Sequence, residues 1–305
     1  MTINKYIHRI NRFEWIFSRI KLIIYKKIFK NHNIFIKPND LISMPYLATG
    51  FHERHISLIL KHAAKKGYSN FFMDIGANIG FITIQTENSF DNVFCFEPNP
   101  ISYELLKINL LYSNIRNIKV YKYGLGNKNE FKDIHIPIKN LGGAFIKGVH
   151  NSYSNETFLK KDGFKKYNSN NYIKRKIAIK NASNVFKNHF LSFKKNNLLN
   201  GSIKIDVEGM EDFIIKSIAS SIPQYINCFV IFENWDQNKN LNNLKELFKS
   251  RRVKIFSVVN YKKYSKNTNI FMKLLASIFF GNIYKIEEYS FNKHKHCSDF
   301  ILLIN

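Results

Sequence analysis

The stretch FFMDIGANIGFITI, residues 71–84, decides the fold of this chain. It joins an apolar run, an acid, two glycines and a second apolar run, which is the pattern of a buried strand, a tight turn and a helix. Such a turn lets the backbone come close to a ligand at Gly76 and Gly80, with the N-terminus of the helix directed at it. Asn78 stands where dinucleotide fingerprints place a glycine, so this stretch alone predicts a nucleotide-type ligand and leaves its identity open.

Apolar runs and helix-like segments alternate along the rest of the chain. The predicted strands cover residues 71–75, 93–97, 119–124, 202–207, 228–233, 253–259 and 300–304, and the predicted helices cover residues 51–66, 79–88, 100–113, 210–221 and 240–250. Pro100 directly after Asn99 is a typical helix start. Strands that alternate with helices predict an α/β fold with a doubly wound, Rossmann-like parallel sheet, whose loops after the strands bind ligands along one edge.

The composition is that of a folded chain with a large core. Its 305 residues, 45% of them hydrophobic and 15% aromatic, favour one large domain with elaborations and exclude a disordered chain. Cys95, Cys228 and Cys297 are widely spaced and form no C-x-x-C pair. This pattern fits a reducing cytosol, so we expect a cytoplasmic protein.

The formal net charge of +25 raises the question of nucleic-acid binding. The lysines are spread over the whole chain and accompany abundant asparagine, isoleucine and phenylalanine, which is the imprint of an AT-rich genome as much as of a basic surface. We therefore do not predict a nucleic-acid partner from the charge. Whatever its origin, the positive electrostatic field of the protein favours anionic small-molecule or glycan substrates, or anionic lipid.

Two segments bear on membranes and on partner subunits. Residues 269–284 are the best candidate for a membrane span, but Lys273 and Gly281 interrupt them, and a span needs roughly 20 apolar residues. Residues 6–30 alternate apolar pairs with Arg and Lys and predict a basic amphipathic helix in an N-terminal extension, residues 1–50. We expect this helix to pack on the domain or on a second subunit of a homo-oligomer. The alternative is a peripheral contact with the inner membrane face.

Residues 127–200 interrupt the alternation of strands and helices. They are rich in Asn, Lys, Ser and Tyr and contain two strand-like stretches, FKDIHIPI and KRKIAIK, and one helix-like stretch, NVFKNHFLSF. An insertion between the third and fourth strands lies on the ligand edge, so we expect it to act as a substrate lid. The alternative is an insertion without a chemical role.

A single acid narrows the choice of ligand. Glu97 ends the second predicted strand about 20 residues after Gly76, where an acid accepts hydrogen bonds from both ribose hydroxyls of an adenosine cofactor. Pro98 then turns the chain away. Together with the first turn, this predicts an adenosine-type cofactor, either NAD or S-adenosylmethionine.

The stretch SIKIDVEGMED, residues 202–212, separates these two cofactors. It places Asp206, Glu208 and Glu211 around a glycine at the mouth of the same pocket. Carboxylates suit the sulfonium and ammonium groups of S-adenosylmethionine and repel a pyrophosphate. For Glu211, just inside the next helix, a purely structural interaction with the helix dipole is an equal alternative.

The motifs DIGANIG, FEPNP, KIDVEGMED and VIFEN, in this order and spacing, resemble the FkbM family of S-adenosylmethionine-dependent methyltransferases. The similarity covers residues 71–233, and the acidic motif after the fourth strand is its most specific part. The resemblance implies a class I methyltransferase domain over residues 51–305, with a seven-stranded, mostly parallel sheet and helices on both faces. FILLI, residues 300–304, suits its antiparallel last strand. The extension and the insertion depart from the family and are expected to choose the acceptor.

The resemblance also implies roles for individual residues, and we predict no metal site. The residues expected at the cofactor follow the first three strands: Asp74, Gly76, Asn78, Gly80, Glu97, Pro98 and Leu125. The first four would surround the methionine end, the glutamate would hold the ribose, and the leucine would lie near the adenine. Asp206 would face the methionine amine or the acceptor, and Glu208, Glu211 and Glu233 would complete an acidic rim.

The family implies methylation of small molecules or glycans, commonly at sugar hydroxyls. A basic lid suits a phosphorylated precursor, as in polysaccharide, capsule or natural-product biosynthesis. The enzyme must hold the acceptor in line with the sulfonium while a base takes the hydroxyl proton, for which Asp206, Glu208 and Glu233 are best placed. Three histidines outside the motifs are further candidates by their usual pKa, although a surface or packing role is favoured for each: His52, His55 and His150.

Two other classes of function stay open. The first is an RNA methyltransferase, although base-methylating enzymes of this fold often carry N-P-P-[YF] after the fourth strand, where this chain has IDVEG. The second is a non-catalytic or NAD-binding Rossmann-like protein, against which the complete acidic motif and the G-x-x-x-G spacing argue.

Overall fold

The structure, a computed structural model, describes residues 20, 34–37, 39–146, 162–164, 167–234, 236, 238–248, 251–261 and 283–305. Its strands are β1 (Phe71–Ile75), β2 (Val93–Phe96), β3 (Ile118–Tyr121), β4 (Gly124–Gly126), β5 (Glu130–Pro137), β6 (Phe145–Ile146), β7 (Tyr172–Asn181), β8 (Asn200–Ile205), β9 (Asn227–Glu233), β10 (Val253–Tyr261), β11 (Ile283–Glu288) and β12 (Asp299–Ile304). Its helices are α1 (Ser43–Thr49), α2 (Arg54–Lys65), α3 (Phe81–Gln85), α4 (Pro100–Leu111), α5 (Ala182–Lys195), α6 (Glu211–Ala219) and α7 (Phe291–His294). Short 3₁₀ helices cover Leu141–Gly143, Ser169–Asn171 and Leu241–Phe248.

The main sheet has the order β11-β10-β12-β9-β8-β1-β2-β3 among the described residues. Strands β3, β2, β1, β8 and β9 pair in parallel, and β12 pairs antiparallel with both β9 and β10. The α/β class and the antiparallel closing strand are therefore confirmed. The predicted strand count of seven is wrong by one, because β11 adds an antiparallel strand at the edge beyond β10.

Two further predictions about single elements need correction. The predicted strand over residues 119–124 is two strands, because β3 joins the main sheet while β4 pairs with β7 in a second sheet. The predicted α-helix over residues 240–250 is the 3₁₀ helix Leu241–Phe248. The remaining predicted elements coincide with observed ones within a few residues at each end.

Apolar side chains cover both faces of the central strands. Every residue of β1 is buried. On one face Phe71 packs against Phe193 of α5, with ring centroids 4.3 Å apart. On the other face Phe72 belongs to a cluster with Ile56 and Leu60 of α2. Burial of each such side chain stabilises the fold by about 1.5–3 kcal/mol. This packing on both faces holds the carboxyl end of β1 in place.

The region predicted as an insertion, residues 127–200, contains two structural parts. Strands β5, β6 and β7, together with β4, form a second sheet in the order β4-β7-β5-β6. Helix α5 instead packs on the main sheet through Phe186, Phe190 and Phe193. The second sheet has its own apolar cluster around Ile134 and Ile179, which also contacts α4. Its predicted action as a lid stays a prediction.

The predicted basic helix over residues 6–30 lies almost entirely outside the described residues, as does most of residues 269–284. Within the part of the chain that the structure describes, no helix is both long enough and apolar enough to cross a membrane. The described end of the extension begins at residue 34 and leads through α1 to the start of α2. There it reaches the carboxyl edge of the main sheet.

Candidate active site

A cavity of about 1110 Å³ lies where β1, β2, β8 and β9 end, between the main sheet and the second sheet. Among the described residues, seven acidic residues and two lysines line it, although the full chain has 22 acidic residues and 47 lysines and arginines. The acidic residues are Glu53, Glu97, Glu130, Asp206, Glu208, Asp212 and Glu233. The basic ones are Lys132 and Lys216. The cavity is therefore acidic in a strongly basic protein.

The turn after β1 forms one wall of the cavity. Gly76 has φ +82°, and a Cβ there would lie 1.8 Å from the carbonyl oxygen of Asp206, so only glycine fits between the ends of β1 and β8. Asn78 has φ +50°, a left-handed conformation that asparagine tolerates. Its side-chain Oδ1 is buried and has no hydrogen-bond partner among the described residues. A buried polar atom in this state is suited to a ligand that donates a hydrogen bond.

Glu97 is held at the end of β2 by two backbone N–H groups. Its Oε2 accepts a hydrogen bond from Asn78 at 2.8 Å, and its Oε1 accepts one from Asn99 at 2.7 Å. Burial raises the pKa of Glu97 to about 7, against the effect of these two bonds. Each carboxylate oxygen keeps a second acceptor position, so the geometry can receive a pair of ribose hydroxyls.

Lys204 lies beneath the cavity and connects the two strand ends. It is the register partner of Asp74 across β8 and β1, and its Nζ is 3.4 Å from the Oδ1 of Asp74. The same Nζ donates to the carbonyl oxygen of Gly76 and to Oδ2 of Asp206, each at 3.1 Å. Burial opposes the charge on Lys204, but Asp206, Asp74 and Glu53 outweigh it, so the pKa of Lys204 is raised.

Sequence reasoning overlooked Lys204, although a signal was present. A lysine in the otherwise apolar run SIKI, two residues before Asp206, lies on the same face of the strand as that acid. A lysine on a buried central strand requires carboxylate partners, which this position provides.

The acidic turn after β8 combines strain with backbone hydrogen bonds. Glu208 and Gly209 both have positive φ, +34° and +86°. Oε1 of Glu211 accepts hydrogen bonds from the N–H groups of Val207 at 3.2 Å and Gly209 at 3.3 Å. Glu211 therefore stabilises this turn through backbone hydrogen bonds, while Asp206 and Glu208 line the cavity.

The other predicted site residues divide into two groups. Pro98, Leu125 and Glu233 line the cavity with Gly76 and Asn78. Asp74 is fully buried behind the turn, where its Oδ2 accepts a hydrogen bond from Thr83 Oγ1 at 2.6 Å. Gly80 also lies behind the turn, with φ +94° and its Cα facing Leu106 of α4. The structure thus brings the predicted residues together, with these two supporting the turn from below.

The three candidate histidines lie in different places. His52 lines the cavity, stacks on Phe81 with centroids 4.7 Å apart, and has its pKa lowered to about 4 by burial. Nε2 of His55 lies 3.4 Å from Oδ2 of Asp299. His150 lies outside the described residues. Next to His52, the cavity is lined by Glu53, which sequence reasoning did not select.

The chain matches the sequence model of a protein family over the residues that form this site. The model described as methyltransferase FkbM domain matches residues 74–253, which includes the turn after β1, Glu97, the acidic turn and Glu233. Among curated proteins, none matches the chain at a significant level. His52 and Glu53 precede the matched residues.

Solved structures of methyltransferases show a distant likeness to this chain. An O-methyltransferase from Bacillus cereus in complex with S-adenosylhomocysteine is 9% identical, with a TM-score of 0.37 over 99% of this chain and 93% of its own. A precorrin-6y C5,15-methyltransferase from Geobacter metallireducens is 12% identical, with a TM-score of 0.36 over 83% and 87%. A methyltransferase dependent on S-adenosylmethionine from Agrobacterium tumefaciens is 8% identical, with a TM-score of 0.40 over 84% and 64%. The assignment to a family therefore rests on the match over residues 74–253.

Proposed function

The chain belongs to the FkbM methyltransferase family, and from this premise we propose that it methylates a hydroxyl group of a sugar or of a phosphorylated glycan precursor. It is an S-adenosylmethionine-dependent methyltransferase, and that cofactor supplies an already activated methyl group. The protein's own task is to hold the cofactor, to align the acceptor and to accept the acceptor's proton.

The residues of the cavity fit S-adenosylmethionine. The buried, unpartnered Oδ1 of Asn78 suits the ammonium group of the methionine end. Glu97 can receive the ribose hydroxyls, and Leu125 offers an apolar contact for the adenine. Asp74 acts through the turn, which it supports together with Lys204. No pyrophosphate-binding group is needed in this arrangement.

The observation that carries the proposed acceptor class is the concentration of carboxylates in the cavity wall. Beyond the cofactor residues, Asp206, Glu208 and Glu233 face the same space from the ends of β8 and β9. Carboxylates accept hydrogen bonds from several hydroxyls at once, which suits a polyol such as a sugar. One of them, held in reach of a hydroxyl, can also take its proton.

The second sheet supplies the opposite wall of the cavity and one of the two described lysines that line it. Within the described part of the chain, these lysines are Lys132 of β5 and Lys216 of α6, the helix that follows β8 of the main sheet. They suit the phosphate of a nucleotide-linked or lipid-linked sugar, while the carboxylates near the cofactor repel an RNA backbone. We assign the second sheet the role of acceptor wall, and we place the reaction in the cytoplasm, where the three free cysteines would stay reduced.

The test is to incubate the protein with trideuteromethyl-labelled S-adenosylmethionine and a panel of nucleotide sugars, capsule oligosaccharides and free sugars. Mass spectrometry should detect one labelled methyl ether on a member of the panel, and Asp206→Asn should reduce its rate more than it reduces the affinity for S-adenosylhomocysteine. Methylation of an amine or of RNA instead would contradict the hydroxyl assignment. Equal rates for free and phosphorylated sugars, without salt dependence, would contradict the preference for phosphate.

A further inference from the structure

Backbone strain singles out two glutamates in the described part of the chain. Seven non-glycine residues there have positive φ, and five of them are asparagines, which tolerate this conformation. The other two are Glu53, with φ +43°, and Glu208, with φ +34°. Both line the cavity. Strain of this kind costs about 1–3 kcal/mol and persists where the surrounding structure enforces it, typically at functional sites.

The surrounding structure holds Glu53 in place from three directions. Gln85 Nε2 donates a hydrogen bond to the carbonyl oxygen of His52 at 2.7 Å. The ring of His52 stacks on Phe81 at the start of α3. One residue after the strained position, α2 begins, and its His55 lies 3.4 Å from Asp299 at the first residue of β12. The segment before α2 is thus fastened to the edge of the main sheet and to the helix after the cofactor turn.

Several charged groups surround the carboxyl group of Glu53 and influence its pKa. They belong to His55 on its own segment, to Lys204 and Asp206 on β8 and the turn after it, and to Asp299 on β12, while the neutral ring of His52 lies 3.9 Å from Oε2 of Glu53. Burial, followed by the repulsion of Asp206, raises the pKa of Glu53 to about 7. The side chain is 29% exposed, so it is shielded but still reaches the cavity. A general base performs best when its pKa lies near the working pH.

We propose that Glu53, rather than Asp206, Glu208 or Glu233, is the general base that takes the proton of the acceptor hydroxyl. This assignment rests on the proposed function, since it presumes an acceptor that must lose a proton. The acceptor oxygen forms a bond to the methyl carbon, the carbon–sulfur bond breaks with its electron pair staying on sulfur, and the hydroxyl proton moves to a carboxylate oxygen of Glu53. The base thus comes from outside residues 74–253, on the segment that leads from the N-terminal extension into the domain.

Sinefungin tests this placement without any acceptor. In this analogue of S-adenosylmethionine, a carbon replaces the sulfonium sulfur and an amine on that carbon replaces the methyl, so its ammonium group lies where the transferred methyl would be. At pH 8, where Glu53 is ionised, Glu53→Gln should weaken sinefungin binding about 10- to 100-fold, as expected for one charge-assisted hydrogen bond. Binding of S-adenosylhomocysteine, which lacks that ammonium, should change less than twofold. Both affinities are measured by titration calorimetry.

Three further variants make the result decisive. Glu104→Gln removes an exposed carboxylate on α4 and should leave both affinities unchanged. Glu53→Asn suits the left-handed backbone, so it should fold at least as stably as the wild type and show the same selective loss of sinefungin affinity. Equal effects on both ligands, no effect, or a selective loss in Glu208→Gln in place of Glu53→Gln would overturn the assignment. A protein that methylates no sugar yet shows the selective loss would keep Glu53 at the transfer point and refute only the proposed acceptor.

Discussion

The two walls of the cavity are built by different means. The wall on the main sheet consists of strand ends and turns held by backbone hydrogen bonds and by Lys204, and it presents carboxylates. The wall on the second sheet presents mainly apolar side chains, held by a small cluster of isoleucines and one leucine. The polar wall thus depends on charge compensation and the apolar wall on packing. Removing a charge from the polar wall and removing packing from the apolar wall should therefore change the free energy of unfolding differently, above all in its dependence on pH.

The largest effect is expected where the polar wall loses its buried cation. Lys204→Met leaves the carboxylate of Asp74, which is fully buried, without its ionic partner. Loss of one partner of a buried pair costs about 3–5 kcal/mol, which urea unfolding should show. Burial already raises the pKa of Asp74. Without Lys204 it rises further, so the remaining stability should fall as the pH rises through that folded pKa.

The matched control is Lys122→Met, which removes a cation from the exposed pair with Glu104. It should not measurably change stability, because exposed pairs contribute little. Lys204→Met combined with Asp74→Asn should recover part of the loss, since no uncompensated charge remains. A fully additive double variant would contradict the pairing on which the polar wall depends.

The apolar wall should respond next, through packing alone. Ile179 of β7 is buried, and a Cβ on Gly126 would lie 2.5 Å from its Cγ2, so the two strands are in close contact. Ile179→Ala should lower the free energy of unfolding by about 2–4 kcal/mol, with no dependence on pH. Ile138→Ala, at an isoleucine that is 40% exposed, should change it by less than about 0.5 kcal/mol. Equal effects at the two positions would show that the second sheet has no core of its own.

The two walls also differ in how far the sequence could predict them. The main-sheet wall follows from contiguous motifs, so Gly76, Asn78, Glu97 and Asp206 could be placed before any coordinates were known. Lys204 was missed although its spacing to Asp206 was a signal, because its other partner, Asp74, becomes visible only when β1 and β8 are set in register.

Sequence reasoning placed the second sheet less well, for a physical reason. Strands β5 and β7 are distant in sequence, and their alternation of apolar and charged residues does not indicate a partner. The same limit applies to Glu53, since its strained φ and its contact with the cavity depend on how α2 is anchored. The local sequence pattern predicts the helices and strands. The second-sheet wall and the residues that face it depend instead on which distant strands pair.

A third effect tests the polar wall through ligand binding. In the proposed ribose site, Glu97 must be ionised to accept both hydroxyls, and burial raises its pKa to about 7 in the free protein. Affinity for S-adenosylhomocysteine should therefore reach a plateau above pH 7 and fall by up to about tenfold per pH unit below it. Glu97→Gln should weaken binding about 10-fold or more at pH 8 and flatten this pH dependence. Calorimetric titration between pH 5 and 8 measures both, and a wild-type affinity independent of pH would remove Glu97 from the ribose site.

The smallest effect concerns the strain stored in the polar wall. Glu208 adopts φ +34° in the turn after β8, whereas Gly163, between β6 and β7, has φ +70°. Glu208→Asn places a residue that tolerates this conformation and should stabilise the fold by about 0.5–1 kcal/mol in urea unfolding. Gly163→Ala should have the opposite sign and a similar size, because alanine is strained at that φ. If Glu208→Asn unfolds at higher urea concentration than the wild type but transfers methyl more slowly, the conformation of the acidic turn serves the reaction at a cost in stability. A loss of stability in Glu208→Asn would mean that contacts of the glutamate side chain outweigh its backbone strain.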